Sequence, residues 1–393
     1  MTWTAHLVET VSGELGAELT ISEAGTWSAA LGDVEEWKVT VGRDRLREVE
    51  PLRWAPWRSS ILMSWRDSEG RLRPWLLGPI TDLPKENREA DTAQFSCKGI
   101  GELLERRVLM ARDFGAHENT SEEMRELAAS AVTLEGMSYG TMMQEIVRLC
   151  AEERMGGSLP ISFGSPRETG SEMYRMTYYG YNLANNDAWK LVNERANLAN
   201  GPDYAFRPRF VPGDSGRVEW ELVHGTVSQR TIAQEWTMDL DTTSRNSPLA
   251  SISPVSDSSG MMNRAWRTGA GEDAGTLIRM GVNMDQISAG MPLMEHVGSD
   301  SDSDNPSLLV SKAAANLWNG SAPLQQLTAV VNGADPRAEI GRWHVGDYAN
   351  LTIADDEWLT VPGTGGRARP YKIIAAKGGW DQTVTLEFQE ALV

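Results

Sequence analysis

The chain has 393 residues, of which 40% are hydrophobic and 23% charged. This length exceeds what one ordinary hydrophobic core holds, so we expect a globular protein of two to four domains. Lys and Arg number 37 against 55 Asp and Glu, which gives a net charge of −18. Such an acidic balance argues against general nucleic-acid binding, which depends on cations that neutralise phosphates.

Membrane and disulfide-rich classes are also disfavoured. No segment has the roughly 20 apolar residues that cross a bilayer, so no membrane span is expected. The first residues lack the basic start and apolar segment of a secretory signal. Cys97 and Cys150 are the only cysteines. They predict no disulfide framework and fit synthesis in a reducing cytoplasm.

The first hundred residues show the period-two alternation of β-strands. Short strands are expected over residues 3–8 and 17–21, followed by a small antiparallel barrel. The expected barrel strands are 37–41, 60–65, 75–80 and 94–99. Residues 1–101 are therefore predicted to form a first β-barrel domain.

The periodicity then changes to that of helices. Thr120 and Glu123 form a capping-box pattern, and apolar stripes predict further helices over 141–150 and 186–198. A turn at 212–216 predicts a hairpin between strands near 204–207 and 218–222. Residues 102–235 are therefore predicted to form an α+β middle domain.

The C-terminal part repeats the opening pattern of strand, basic loop and return strand. Residues 236–270 and 326–393 are predicted to form a second β-barrel domain, with 271–325 inserted as a loop and helix subdomain. Asn305 and Pro306 mark the start of a helix that ends near Gly320. The predicted fold class is thus mixed β and α+β, with two small barrels flanking the middle domain.

Two compositional features bear on binding. The segment 43–73 holds eight arginines against five acids, interleaved with Trp54, Trp57 and Trp65. Arginine and tryptophan together are typical of contact surfaces, but Arg stems lying over Trp faces in a solvated hairpin explain the segment equally well. Tryptophan occurs 15 times. Several lie at alternating strand positions, which favours a core or subunit interface over glycan binding: Trp37, Trp65, Trp220, Trp358 and Trp380.

Motifs of known chemistry are missing from the sequence. It has no phosphate-binding loop, nucleophile elbow, zinc-protease helix or Cys-x-x-Cys pair. Asp300, Asp302 and Asp304 alternate like the first ligands of a calcium loop, but Gly and Glu are missing at the later positions, so a hydrated loop is favoured. Residues 363–369 could form an anion-binding nest of backbone N–H groups, but a hairpin tip is the favoured interpretation. The histidines stand apart in the sequence, and structural or surface roles are favoured: His6, His117, His224, His296 and His344. We therefore expect no catalytic, cofactor-binding or metal residues and no cofactor.

The order of these patterns resembles the baseplate hub, or minor tail, proteins of long-tailed bacteriophages. The features that carry the resemblance are Trp37-Lys38-Val39-Thr40-Val41, Trp75-Leu76-Leu77-Gly78-Pro79-Ile80, residues 95–104, 186–198, 201–204 and 292–295, and Val345-Gly346-Asp347-Tyr348. They span nearly the whole chain, and no single motif among them is diagnostic.

The resemblance implies a structural virion protein of the tail tip, assembled as a homotrimer. Two barrels per chain would then give six quasi-equivalent units that match a six-fold tail tube. Barrel edges are the preferred subunit contacts, because pairing satisfies their hydrogen bonds. The implied partners are the distal tail protein, the tape measure protein and other minor tail or receptor-binding proteins. Three copies carry 3 × (−18) = −54 charges, and such charge on the lumen would let DNA pass without specific binding.

Two alternatives of other classes stay open. A peptidoglycan or glycan hydrolase could use the abundant acids, because paired carboxylates meet only in space. A glycan-binding tail adhesin could use exposed tryptophans.

Overall fold

A computed structural model describes residues 2–43, 46, 54–111, 120–152, 154–257, 259–301, 303–321, 324–355 and 365–390. Within these residues the chain is mostly β, and its longer helices lie in the middle of the chain and near residue 310. None of the helices there combines the length and apolarity needed to cross a bilayer.

The N-terminal hundred residues contribute strands to two sheets. The strands are β1 (Thr2–Glu9), β2 (Leu15–Leu19), β3 (Ile21–Ala30), β4 (Glu36–Gly42), β5 (Ser59–Arg66), β6 (Leu72–Pro79), β7 (Lys85–Asn87) and β8 (Thr92–Lys98). Strands β2, β1, β5 and β6 pair in that order as an antiparallel sheet, the short sheet. Strands β3, β4, β8 and β7 pair in that order as part of another, the long sheet.

Strand alternation places the apolar residues as the sequence predicts. In β4 the buried residues Trp37, Val39 and Val41 alternate with more exposed ones at the start of the strand. Each pairs with a buried partner on β8, respectively Cys97, Phe95 and Ala93. One face of this pair of strands therefore belongs to the core.

Strand β5 is buried along nearly its whole length. Its two faces belong to different cores: Ile61 and Met63 lie in the core shared by the chain ends, and Leu62 lies in the core of the middle region. The same division holds for β6, where Leu76 and Leu77 lie in different cores. The short sheet therefore lies between the long sheet and the middle helices.

The middle region combines helices with small sheets. Its elements are α1 (Gly101–Leu104), α2 (Ser121–Ala129), β9 (Ala131–Met137), α3 (Tyr139–Ala151), β10 (Ile161–Phe163), β11 (Tyr174–Tyr179), a 3₁₀ segment (Gly180–Asn185), α4 (Ala188–Ala196), β12 (Tyr204–Val211) and β13 (Asp214–His224). Thr120 caps α2 through the predicted capping box. Ser138 and Asp187 cap α3 and α4 through side-chain oxygens. The predicted helices 141–150 and 186–198 and the hairpin of β12 with β13 are confirmed.

The C-terminal part returns to β structure. Its elements are β14 (Met238–Asp241), β15 (Leu249–Asp257), β16 (Arg264–Thr268), β17 (Ile278–Val282), α5 (Met284–Ser288), β18 (Glu295–Ser299), α6 (Pro306–Gly320), β19 (Leu324–Asn332), β20 (Tyr348–Thr352), β21 (Ala368–Gly378) and β22 (Thr383–Glu390). Strands β17, β16 and β18 pair in that order as the inserted sheet, against which α6 packs. Asn305 caps α6, and Pro306 stands in its first turn, as predicted.

One long sheet joins the two ends of the chain. Its strand order is β15-β19-β22-β21-β3-β4-β8-β7, and β20 and β14 continue it beside β21. The junction is the pairing of β21 with β3, in which Ala375 lies opposite Ala30 and Gly378 opposite Trp27. We call this pairing the seam.

Tryptophan rings connect the seam to the short sheet. Their ring centroids lie 4.8–6.1 Å apart, in tilted or edge-to-face contacts that aromatic rings prefer. Three indole N–H groups also donate across the seam: Trp3 to the Asp381 carbonyl, Trp27 to that of Gly379 and Trp380 to that of Lys38. We call the rings Trp3, Trp27, Trp65, Trp75, Trp343 and Trp380 the tryptophan array.

The two-barrel architecture is not confirmed. The predicted strands exist, but β5 and β6 belong to the short sheet, whereas β4 and β8 belong to the long one. A bridge between Ile80 and Cys97 links the two sheets at one corner. At the other side β3 pairs with β21 instead of returning to the short sheet. The strand ladders of the described residues therefore form no closed barrel.

The tryptophan array predicts a strong stability effect at Trp27, whose ring is 2% exposed. Replacement by Ala removes the ring contacts with Trp3 and Trp75 and the bond to Gly379. We expect Trp27→Ala to lower the free energy of unfolding by about 3–5 kcal/mol, measured by urea denaturation. Trp318→Ala is the matched control, because Trp318 is 68% exposed on α6. Equal shifts of the two midpoints would contradict a structural role for the array.

Candidate functional site

Two ion pairs fasten the middle region to the long sheet. Arg207 of β12 donates to the Asp347 carboxylate at 2.6 Å, with Asp347 4% and Arg207 15% exposed. Lys372 of β21 lies 2.6 Å from Asp203. Burial raises the pKa of Asp347, and the Arg207 guanidinium opposes that shift. These contacts make one junction from segments that lie more than a hundred residues apart.

Beside these pairs lies a small cavity of about 50 Å³. Glu35, Tyr204 and His344 line it. Burial, with repulsion from Asp33, raises the pKa of Glu35 to about 7. Burial, with the Arg207 charge, lowers the pKa of His344 to about 3. A Cβ on Gly99 would lie 1.9 Å from the Glu35 carboxylate, so only glycine allows this packing.

A carboxyl group with a pKa near 7 is the kind that acid–base catalysis uses. The cavity is far smaller than the roughly 300–1,000 Å³ of ordinary ligand pockets. It has room for water but not for a sugar ring. Glu35 is therefore better explained as a partly buried titratable group of the junction than as the acid of a glycan hydrolase.

The Arg/Trp segment 43–73 lies partly outside the described residues, which omit 44, 45 and 47–53. In the described part, Asp67 is buried and accepts from the Nε groups of Arg71 and Arg73. Arg106 lies over the Trp57 ring at 4.3 Å, and Trp65 is fully buried. The bonds to Asp67 hold the hairpin together, and the arginine that covers Trp57 follows α1 and lies outside the segment.

The tryptophans of the strands are mostly core residues. Trp37, Trp65 and Trp220 are at most 2% exposed, as the alternation predicts. Trp380 lies in the turn between β21 and β22 rather than on a strand, and it packs partly buried against the core. Trp358 lies outside the described residues. Trp318, which sequence reasoning did not single out, is 68% exposed.

The calcium-loop pattern does not form a site. Asp300 is paired with Lys312 and with Arg267, so cations of the chain already occupy its carboxylate. Asp302 lies outside the described residues, among which no metal-holding group of carboxylates, histidines or cysteines occurs.

The nest at 363–369 lies partly outside the described residues, which omit 363 and 364. In the described part, the Gly365 N–H donates to the Asp355 carboxylate, and Arg369 pairs with Glu390. The Gly365 N–H is therefore already hydrogen-bonded to a carboxylate of the same chain.

The described histidines lie in unrelated surroundings. His224 is buried and contacts Gln144 and the Gly225 carbonyl, whereas His344 stacks on Trp75. His6 lies 3.7 Å from Glu18, and His296 is in the inserted sheet. His117 lies outside the described residues.

The outer face of the inserted sheet is apolar and exposed. Trp266 on the central strand lies opposite Met280 on one side and Val297 on the other. Met280 is 47% and Val297 65% exposed, and Ile278 next along β17 is 48% exposed. The sequence analysis does not anticipate this face, because it predicts a loop and a helix over 271–325, where β17 and β18 lie.

The raised pKa of Glu35 predicts a pH-dependent stability. A carboxyl whose folded pKa is about 7 binds its proton more tightly in the folded state, so stability falls as pH rises from about 4.5 to 7. Relative to wild type, Glu35→Gln should gain on the order of 2 kcal/mol of unfolding free energy between pH 5 and pH 8, measured by urea denaturation. Glu36→Gln, at an exposed neighbouring position, is the matched control variant. A pH-independent difference for Glu35→Gln would exclude a partly buried, titrating Glu35.

The buried pair of Arg207 and Asp347 predicts a second effect. Arg207→Met leaves a buried carboxylate without its cation, so we expect a loss of about 3–5 kcal/mol in the free energy of unfolding. Adding Asp347→Asn should restore part of the loss, because it removes the uncompensated charge. Arg88→Met, at a pair whose arginine is 86% exposed, should leave urea denaturation unchanged. A loss as small as that of Arg88→Met would contradict the junction.

Comparison with known proteins gives the fold its context. No family model matches the chain, and no curated protein matches it. A tail protein from Neisseria meningitidis is similar over 99% of this chain and 97% of its own, with 11% identity and a TM-score of 0.55. The 43 kDa tail protein of prophage MuSo2 from Shewanella oneidensis is similar over 98% of both chains, with 8% identity and a TM-score of 0.54. Prophage tail protein gp18 from Listeria monocytogenes covers 99% of this chain and 94% of its own, with 10% identity and a TM-score of 0.50. The chain therefore has the fold of phage tail proteins.

Proposed function

We propose that this protein is a structural component of a bacteriophage tail, located in the virion at the tail tip and acting as its hub. The observation that carries the proposal is the likeness to tail proteins over 94–99% of both chains in each comparison. The likeness therefore extends over nearly the whole length of the chain. A likeness of this extent argues for a common mechanical role.

The proposed assembly is a homotrimeric ring. Each chain would contribute two β units: one from residues 1–101, and one from 236–270 together with 326–393, apart from β16, which pairs in the inserted sheet. The middle domain of 102–235 and the inserted subdomain of 271–325 would extend from them. Three chains would then present six similar units to a tail tube. The seam supports this arrangement, because it fixes the two β units of one chain side by side.

The long sheet offers edges for subunit contact. Among the described strands, β15 pairs on one side only, with β19, and at the other end β7 pairs only with β8. An unpaired edge presents free N–H and C=O groups that a neighbouring chain satisfies. Pro254 on β15 is consistent with an edge position, since proline lacks the N–H of a central strand.

The proposed mechanism is mechanical rather than enzymatic. The ring would connect the distal tail protein to tip or receptor-binding proteins and let the tape measure protein and DNA pass. With −18 charges per chain, a lumen lined by acids would repel the DNA backbone. The small size of the cavity at Glu35 supports this choice over a glycan hydrolase.

The ring predicts a defined mass. Three chains of 43.3 kDa should elute as a species of about 130 kDa in size-exclusion chromatography with light scattering. Electron micrographs of that species should give class averages with three-fold symmetry. An antibody against the chain should label the distal end of the tail in particles that carry the gene.

A strictly monomeric protein at a concentration of about 100 μM, together with tails whose tips the antibody leaves unlabelled, would overturn the hub proposal. Labelling along the whole tail instead of the tip would retain a tail protein but exclude a hub.

A further inference from the structure

A groove separates the middle region from the inserted sheet. One wall consists of β11, the 3₁₀ segment and α4, and the other of residues 299–301 and 303–305 with the start of α6. Its volume is about 580 Å³, which falls within the range of ligand-binding clefts. The tail architecture proposed above does not use this groove.

Two tyrosines form an exposed aromatic surface on the first wall. The rings of Tyr179 and Tyr181 are stacked, with centroids 5.2 Å apart and planes inclined by 15°. Tyr179 is 41% and Tyr181 69% exposed. Aromatic rings gain much free energy from burial, so a stacked pair left in solvent at the edge of a groove is suited to contact a ligand face.

A buried arginine lines the same wall. Arg195 is 2% exposed, and its Nη2 donates to the Glu194 carboxylate at 3.0 Å. Its Nε and Nη1 have no hydrogen-bond partner in the part of the chain that the structure describes. The Ser303 hydroxyl on the opposite wall is likewise buried without a partner there. Unpaired buried polar atoms are costly, and their presence on both walls points to a ligand that supplies hydrogen bonds.

The rest of the lining indicates the chemistry of that ligand. The charges are largely matched: Asp300 pairs with Lys312 and Arg267, Glu194 with Arg195, and Arg175 with Glu135, while Lys190 and Asp304 add one charge of each sign. A strongly charged ligand therefore finds little net charge. The remaining lining is rich in amides and hydroxyls, which both donate and accept: Asn182, Asn185, Asn186, Ser299, Ser301, Ser303 and Asn305.

We propose that this groove binds an oligosaccharide. One sugar ring packs its apolar C–H face on Tyr181, and its hydroxyls bond to the amides and, after rotation of that side chain toward the groove, to the Ser303 hydroxyl. The match rests on flat aromatic surface beside uncharged donors and acceptors, which sugar rings with their hydroxyls complement. The inference is independent of the trimer, and it assigns a surface-recognition role to a wall outside the long sheet.

The test uses the full chain on an array of defined oligosaccharides containing glucose, galactose, rhamnose and N-acetylglucosamine polymers. The strongest binder is then titrated by calorimetry. Tyr181→Ala should weaken its affinity about tenfold, because the ring contact is lost. Ser303→Ala should weaken it about fivefold through one hydrogen bond. Both changes are small perturbations of the fold, and circular dichroism checks this.

Trp318→Ala is the matched control, since Trp318 is as exposed as Tyr181 but lies outside the groove. It should bind like wild type. The proposal is overturned if the array shows no binding, or if Tyr181→Ala and Ser303→Ala bind like wild type. Loss of binding in Trp318→Ala alone would place the sugar on α6 and also overturn it. If no oligosaccharide on the array binds, the tail-hub proposal is unaffected. If the protein binds sugar but is monomeric and its antibody does not label tail tips, the groove proposal stands and the hub proposal fails.

Discussion

The structure depends on one constraint, the seam between β3 and β21. Through it the first and last parts of the chain form one continuous sheet, with Trp27 opposite Gly378. The tryptophan array covers that pairing, and three indole N–H groups donate across it to backbone carbonyls. Large rings in edge contact fill the space between two twisted sheets that small aliphatic residues would leave open. The high tryptophan content of the sequence is thereby explained as a packing device.

The remaining parts are arranged around this seam. The short sheet packs one face on the tryptophan array and the other on the middle helices, which is why β5 is buried throughout. The pair of Arg207 and Asp347 then fixes the middle region directly to the long sheet. Gly78 allows a close approach at the corner of the two sheets, since a Cβ there would lie 1.7 Å from the Lys98 carbonyl oxygen. Hydrophobic packing thus holds the layers together, and the buried ion pair fixes the position of the middle region against the long sheet.

Sequence reasoning predicted local structure well and long-range pairing poorly. The alternation in β4 and the caps at Thr120 and Asn305 are local signals, and the corresponding elements form as predicted. The partner of β3 could not be deduced, because a strand edge carries no sequence mark of a strand about 350 residues away. The strands β9 and β11 were also missed, since Leu134 alone is fully buried in β9 and period two is scarcely visible there. The two stacked tyrosines of the groove are close together in the sequence. The opposite wall with Ser303 comes from the inserted region, so only the three-dimensional structure shows that it lies beside the tyrosines.

The seam also determines when the long sheet can be completed during translation. Residue 27 can pair only after residue 378 has been synthesised. At a synthesis rate of about 5–20 residues per second, the interval between the two is roughly 20–70 s. In that interval β3 has a hydrogen-bonding edge with no partner from its own chain, which is the state in which strands of neighbouring nascent chains pair wrongly. Ribosomes crowded on one message would bring such edges close together. Because the partner strand of β3 is made near the end of synthesis, correct pairing of the N-terminal strands depends on keeping neighbouring nascent chains apart until then.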